Sequence, residues 1–285
     1  MKKIKLLILT IISIIVLLLV TGVCPTRSVE RAEAFNRTKV VMTAKVIIPT
    51  EDFKKIDNAL RQYADKIAEE KVSYEDGWVN TNNLNIRNLP SKSGKVIGHL
   101  SFNEKVKYTK SENAEWVRIK YGEEKAYVKK EYIANEKASY TIYDVPSNRG
   151  FKSYMDYRCI TSTGSKQYKL QSLYGETGKY GIRTVNGRYC IAVGSHFTTS
   201  IGQYLDLILE NGTVIPCVLG DQKADADTDA NNIVTMHNGC VSEFVVNTDY
   251  LHQFARRDGN ISSCTEEWGS PVTKIKVYNR NVFDK

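Results

Sequence analysis

Hydrophobic positions along this chain change period twice, and each change marks a new kind of element. Leu6 to Val23 runs without a charge behind the three lysines of Met1 to Lys5, nearly the length of a hydrocarbon-spanning helix. Residues 1–5 therefore read as a basic cytoplasmic tail and 6–24 as a transmembrane anchor or uncleaved signal. The apolar core outruns that of a cleaved signal, and the nearest Ala-x-Ala, Ala32 to Ala34, lies beyond Pro25 and several charges. Lipid attachment at Cys24 is disfavoured because Val23 stands where a small residue is wanted. A helical period follows. Thr50-Glu51-Asp52 precedes Phe53, Ile56, Leu60, Tyr63, Ala64 and Ile67, which predicts one amphipathic helix over about 50–71 within a linker of 25–75. Its stripe spans too few heptads for a coiled coil, so it reads as a spacer.

From Leu84 the period is two. Leu84 to Arg87 and Val96 to Leu100 alternate apolar and polar residues around a turn at Leu89-Pro90-Ser91. Lys105 to Tyr108, Trp116 to Tyr121 and Ala126 to Val128 add three more strands, so 76–135 predicts a small barrel. Trp116 and Tyr127 are expected in its core, while Tyr108, Tyr121 and Tyr132 are candidate ligand-binding aromatics. Residues 136–180 read as a connecting segment. Beyond Gly181, short runs of Val, Ile, Tyr and Thr give at least six strand candidates in 181–285, two pairs joined by Asn186-Gly187 and Asn211-Gly212. A helix is expected only near Thr248 to Arg256. The chain as a whole is predicted to be mainly β.

Composition narrows the partners. A net charge of +8 suits anionic lipid or acidic wall polymers, but no cluster of lysine and arginine interleaved with aromatics suggests a nucleic-acid groove. Of six cysteines, Cys159, Cys190, Cys217, Cys240 and Cys264 lie in the last half, an odd number that permits two bridges at most. Cys190 and Cys217 sit in apolar runs and read as small buried hydrophobes, with a disulfide as the other possibility.

Chemistry centres on Asp221. A carboxyl after Val218-Leu219 at a strand end is placed to be partly desolvated and to keep a proton, as a general acid must. Asp229 and Glu243 are the candidates for a second carboxyl or for substrate binding. The plainer reading is that Asp221, Asp225, Asp227 and Asp229 form a solvated acidic loop. Asp225, Asp227 and Asp229 also occupy positions one, three and five of a calcium loop, but Ala230 and Met236 stand where glycine and glutamate are needed. His237 and Cys240 lack a second pair for zinc, and no cysteine opens a helix ahead of a histidine as a cysteine peptidase requires. No metal and no cofactor is expected.

Two resemblances add to this. Leu84-Asn-Ile-Arg, Pro90-Ser91, Val96-Ile-Gly, Trp116-Val-Arg-Ile, Ala126-Tyr-Val and Tyr132-Ile133 resemble the bacterial SH3 family, which implies a wall-associated protein. Tyr189-Cys-Ile-Ala-Val, Thr199 to Leu207, Cys217 to Asp221 and Asn238 to Val245 resemble the double-psi β-barrel group and its three-aspartate wall-lytic domains, which implies a six-stranded barrel with Asp221 as the acid. That family's closing-strand aspartate is Glu243 here, Gln222-Lys223 replaces its Thr-Gly, and Asp225 to Asp229 has no counterpart. With the anchor read from Leu6 to Val23, the resemblances imply an extracellular, membrane-anchored protein of the bacterial envelope whose partner is peptidoglycan or another wall polymer. The expected reaction is that of a lytic transglycosylase, which needs one carboxyl. The alternatives are a non-catalytic tether and an accessory of a larger envelope machine with protein partners.

Overall fold

The computed structural model describes residues 55, 57–63, 72–122 and 124–284, and the expected anchor and basic tail lie outside them. The chain divides into two units, Met1–Ala64 and Asp65–Lys285. In the first, residues 57–63 are helical and form α1, with an Arg61–Asp57 pair at 3.0 Å one turn apart and Leu60 and Tyr63 exposed. No helix among the described residues is long and apolar enough to cross a membrane.

The second unit is mainly β and holds two sheets. Alternation in 75–134 produces β1 (Glu75–Val79), β2 (Leu84–Arg87), β3 (Val96–Leu100), β4 (Lys105–Lys110), β5 (Trp116–Tyr121), β6 (Glu124–Lys129) and β7 (Ile133–Ala134), ordered β3-β2-β6-β5-β4-β1-β7. Its inward face buries Val79, Leu84, Ile86, Leu100, Val106, Val117, Ile119, Ala126 and Val128. Trp116 and Tyr127 are each only 5% exposed, as their strand positions predict.

The second sheet contains β8 (Tyr140–Asp144), β9 (Ser153–Asp156), β10 (Glu176–Thr177), β11 (Arg183–Val185), β12 (Arg188–Val193), β13 (Gln203–Leu209), β14 (Val214–Gln222), β15 (Ser242–Val246) and β16 (Val272–Asn281). These nine strands run β10-β11-β12-β14-β13-β16-β8, with β15 joining β12 to β9. Both expected Asn-Gly turns are present. Asn186 and Gly187 lie at φ of 50° and 70°, the left-handed pair that a two-residue hairpin between β11 and β12 requires. Residues 136–180, expected only to connect, instead supply β8 against β16, β9 against β15, and β10 against β11. They also carry α2 (Lys166–Leu173), whose first turn is capped by Ser165 Oγ accepting from the Tyr168 N–H at 3.1 Å. The helix expected near Thr248 to Arg256 is α3 (Gln253–Asp258), stopped by Gly259 in the left-handed region.

One buried cation joins the two sheets. Arg188 is 1% exposed, and its guanidinium lies 4.9 Å from the ring centres of Phe102 and Tyr204 and 5.6 Å from that of Tyr278. It pairs with Asp206 and donates to Cys217 O at 2.8 Å, Leu205 O at 2.9 Å and Asn82 Oδ1 at 3.0 Å. Asp206 in turn accepts from the Tyr278 hydroxyl at 2.6 Å. Phe102 and Asn82 come from loops of the first sheet, so a cation carried on β12 of the second is closed over by the first. The six-stranded double-psi barrel expected for 181–285 is here part of a nine-stranded sheet. The loop after β1 adds Asn82 N–H to Asn186 O at 3.1 Å and Thr81 Oγ1 to Asn186 O at 3.1 Å.

Removing one partner of a buried, fully bonded ion pair costs about 3–5 kcal/mol, because the other charge stays buried. Arg188→Met should therefore lower the melting temperature by about 10 °C in a unit of this size. Phe102→Ala should raise hydrogen exchange in β13 and β16 although it lies in the other barrel. Melting and exchange both unchanged from wild type would contradict the coupling.

Candidate functional site

The candidate acid owes its position to an irregularity in β14. This strand runs parallel to β12, with Ile191 opposite Leu219 but Ala192 opposite Asp221, so Gly220 is an extra residue in the ladder. Glycine is required there, since a Cβ would stand 2.9 Å from the Cβ of Cys190. Such a bulge turns the next side chain to the other face of the sheet. On the far side of β12, β15 runs antiparallel and sets Glu243 opposite the same Ala192. Asp221, Ala192 and Glu243 thus form one row across three strands, the two acidic Cα atoms about 10 Å apart and their side chains on one face.

Asp221 is partly buried, and its Oδ1 accepts the Gln222 N–H at 2.9 Å. Burial pushes its carboxyl pKa up, the Gln222 N–H and the Gln167 amide of α2 hold it down in part, and the charge of Glu243 raises it further. The net shift is upward from the ordinary value of 3.8, the direction that favours a proton donor.

Glu243 Oε1 accepts from Ser153 Oγ at 3.3 Å. Ser153 Oγ also lies 3.1 Å from Cys240 Sγ, which accepts from Lys223 Nζ at 3.2 Å. The start of β9 that presents Ser153 is pinned by its neighbour Lys152, fully buried, whose Nζ donates to Trp268 O at 2.7 Å, Gly150 O at 2.9 Å, Ser270 O at 3.0 Å and Ser262 Oγ at 3.3 Å. Gln167 and Ser153 were not among the sequence candidates. Both fall in 136–180, where the helix-capping Ser165 was the one available signal.

Asp229 is turned toward its own loop. Its Oδ1 accepts the N–H groups of Ile233 at 2.7 Å and Val234 at 2.9 Å, and those bonds lower its pKa. Asp225 accepts from Ser195 Oγ at 2.6 Å. No group of three His, Cys, Asp or Glu side chains converges as metal ligands among the described residues. Cys159, Cys190, Cys217, Cys240 and Cys264 are free thiols, and burial pushes Cys190 up to about 12 and Cys264 up to about 11. A thiol so raised is a poor nucleophile.

The three candidate tyrosines separate. Tyr108 packs half-buried on the first core and donates from its hydroxyl to Glu75 Oε2 at 3.1 Å. Tyr121 is exposed, its hydroxyl 2.5 Å from where a Cβ on Gly98 would stand. Tyr132 lines a cleft of about 670 Å³ between the first sheet and residues 173–187. A second cavity, about 440 Å³, is bounded by Tyr180, Tyr189 and Trp268. Asp221 and Glu243 line neither.

Residues 82–134 match the family model of the bacterial SH3 domain, so the first barrel is a domain of that kind. Bacterial SH3 domains commonly bind peptidoglycan. Neither the curated proteins nor the solved structures gave a match.

The raised pKa of Asp221 has a thermodynamic sign. Above the ordinary value of 3.8 the folded chain holds a proton that the unfolded chain has released, so this group's contribution to stability falls as pH rises through its folded pKa. Asp221→Asn, which cannot ionise, should match wild type in thermal melts at about pH 3 and exceed it at about pH 7. A variant less stable than wild type at neutral pH would contradict this assignment.

Proposed function

We propose that this is a membrane-anchored protein of the bacterial envelope, facing outward, whose SH3 domain binds peptidoglycan and whose second barrel cleaves the glycan strand without water. The observation that carries the reading is the row Asp221–Ala192–Glu243, with a desolvated carboxyl at one end and a second carboxyl across the strand. Asp221 gives its proton to the glycosidic oxygen as the bond to the anomeric carbon breaks. Glu243, on the same face, stabilises the positive charge that develops on the sugar ring. A hydroxyl of the same sugar then attacks the anomeric carbon and returns its proton to Asp221, which restores the acid and leaves an anhydro-sugar end. One carboxyl thus serves as acid and base in turn. The run from Leu6 to Val23 supports the anchor, and the wall-lytic resemblance of the second barrel supports the choice of Asp221.

A non-catalytic tether is the second reading, favoured by the position of both acids outside the two large clefts. Incubation of the full-length chain with purified walls separates them. Wild type should release anhydro-sugar fragments detectable by mass spectrometry, and Asp221→Asn should slow release by about 100-fold or more while still sedimenting with walls. Wall binding with no fragments from wild type would leave the tether; equal rates from both proteins would remove Asp221 from the mechanism.

A further inference from the structure

The cleft between the barrels holds Tyr132 but was built by neither domain alone. Its volume of about 670 Å³ lies within the range of sites that enclose small ligands. One wall is the stretch from Thr81 to Arg87 with Lys92 and Tyr132; the other is Leu173, Tyr174 and Glu176 with the Asn186-Gly187 turn. These walls are fixed to each other, because Asn186 O accepts from both Thr81 and Asn82, and Asn82 accepts from the buried Arg188. A cleft held open in this way is formed before a ligand arrives, which spares the cost of ordering it.

Its chemistry is mixed. The side chains of Asn83, Asn85 and Lys92 line it without a hydrogen bond or ion pair to other described residues. Two unpaired amides can each give and take a hydrogen bond, the pattern that an acylated amino sugar or a peptide group satisfies. Tyr174 is 42% exposed and offers a ring to the apolar face of a sugar. Arg87, whose Nη1 is taken by Gly94 O at 2.6 Å, keeps other N–H groups, and with Lys92 it supplies positive charge for a carboxylate. Lys129 adds little, being paired with Glu131 at 2.8 Å.

We infer that this cleft is a composite site for a carboxylate-bearing, N-acylated muropeptide, read jointly by the SH3 domain through Asn83, Asn85 and Lys92 and by the second barrel through Tyr174. The inference rests on the wall-binding reading, to which it adds the place and the ligand class. A polymer of phosphodiesters would need more cations than the cleft contains. Because Arg188 locks the walls together, a strand held here has a set direction relative to the second barrel.

Calorimetric titration of the full-length chain with a soluble disaccharide-peptide muropeptide tests this. Wild type should bind, and Tyr174→Ala and Lys92→Glu, both at exposed positions, should each weaken binding at least tenfold with melting temperature unchanged. Loss on Tyr174→Ala is the decisive result, since that residue lies outside the SH3 domain. If both variants bind the muropeptide as wild type does, the cleft is not the site, although wall binding stands. If glycerol-phosphate polymer displaces the muropeptide and binds more tightly, the ligand class is wrong. Failure of wild type to sediment with whole walls would overturn the wall-binding reading and this site with it.

Discussion

A single guanidinium carries the arrangement of the second unit. Arg188 is removed from water, and a buried charge is tolerated only when its counter-charge and hydrogen bonds are complete. Here completion takes residues from both sheets: Asp206 and two backbone carbonyls from the second, Asn82 and the face of Phe102 from loops of the first. Phe102 also packs edge-on against Tyr204 at 5.5 Å and Tyr278 at 5.0 Å. Pulling the barrels apart would therefore expose aromatic surface and strip partners from a charge at once. Within the second unit the SH3 domain is therefore bonded to the second sheet and does not stand apart from it.

That coupling gives the candidate site its context. The acid at Asp221 depends on a one-residue bulge at Gly220, on the parallel pairing of β12 with β14, and on α2 for the amide of Gln167. Glu243 depends on β9, which the fully buried Lys152 ties down through three carbonyls and a hydroxyl. Backbone carbonyls satisfy Lys152 without a counter-ion, so its role is to close a loop crossing. Both carboxyls thus sit on strands paired on both sides, β14 between β12 and β13 and β15 between β12 and β9, so strand register sets their positions.

The sequence disclosed the parts whose signal is local. Alternation marked β2 to β6, and Asn-Gly pairs marked two hairpins, because left-handed backbone in a two-residue turn demands those residues. Asp221 was legible as a carboxyl after an apolar run. What stayed hidden depends on distant partners. α2 reads Lys166-Gln-Tyr-Lys-Leu-Gln-Ser-Leu, nearly polar throughout, with Leu170 buried and Leu173 exposed, so no apolar stripe announces it. β8 and β9 lie far in sequence from the strands they join, and nothing in Tyr140 to Asp156 specifies pairing with β16 or β15. Nothing local marks Arg188 for burial, since the Phe102 ring that covers it lies eighty-six positions earlier. The three tyrosines shared a type and a domain, yet only Tyr132 faces the cleft, because facing is decided by the neighbouring barrel.

Burial and, across one strand, the charge of Glu243 both push the Asp221 carboxyl upward. Carbon-detected NMR titration of the aspartate side chains reads it directly. Asp221 should titrate above the ordinary value of 3.8 in the folded chain, and Glu243→Gln should move its midpoint downward. A midpoint at or below 3.8, or one that Glu243→Gln leaves in place, would contradict the account.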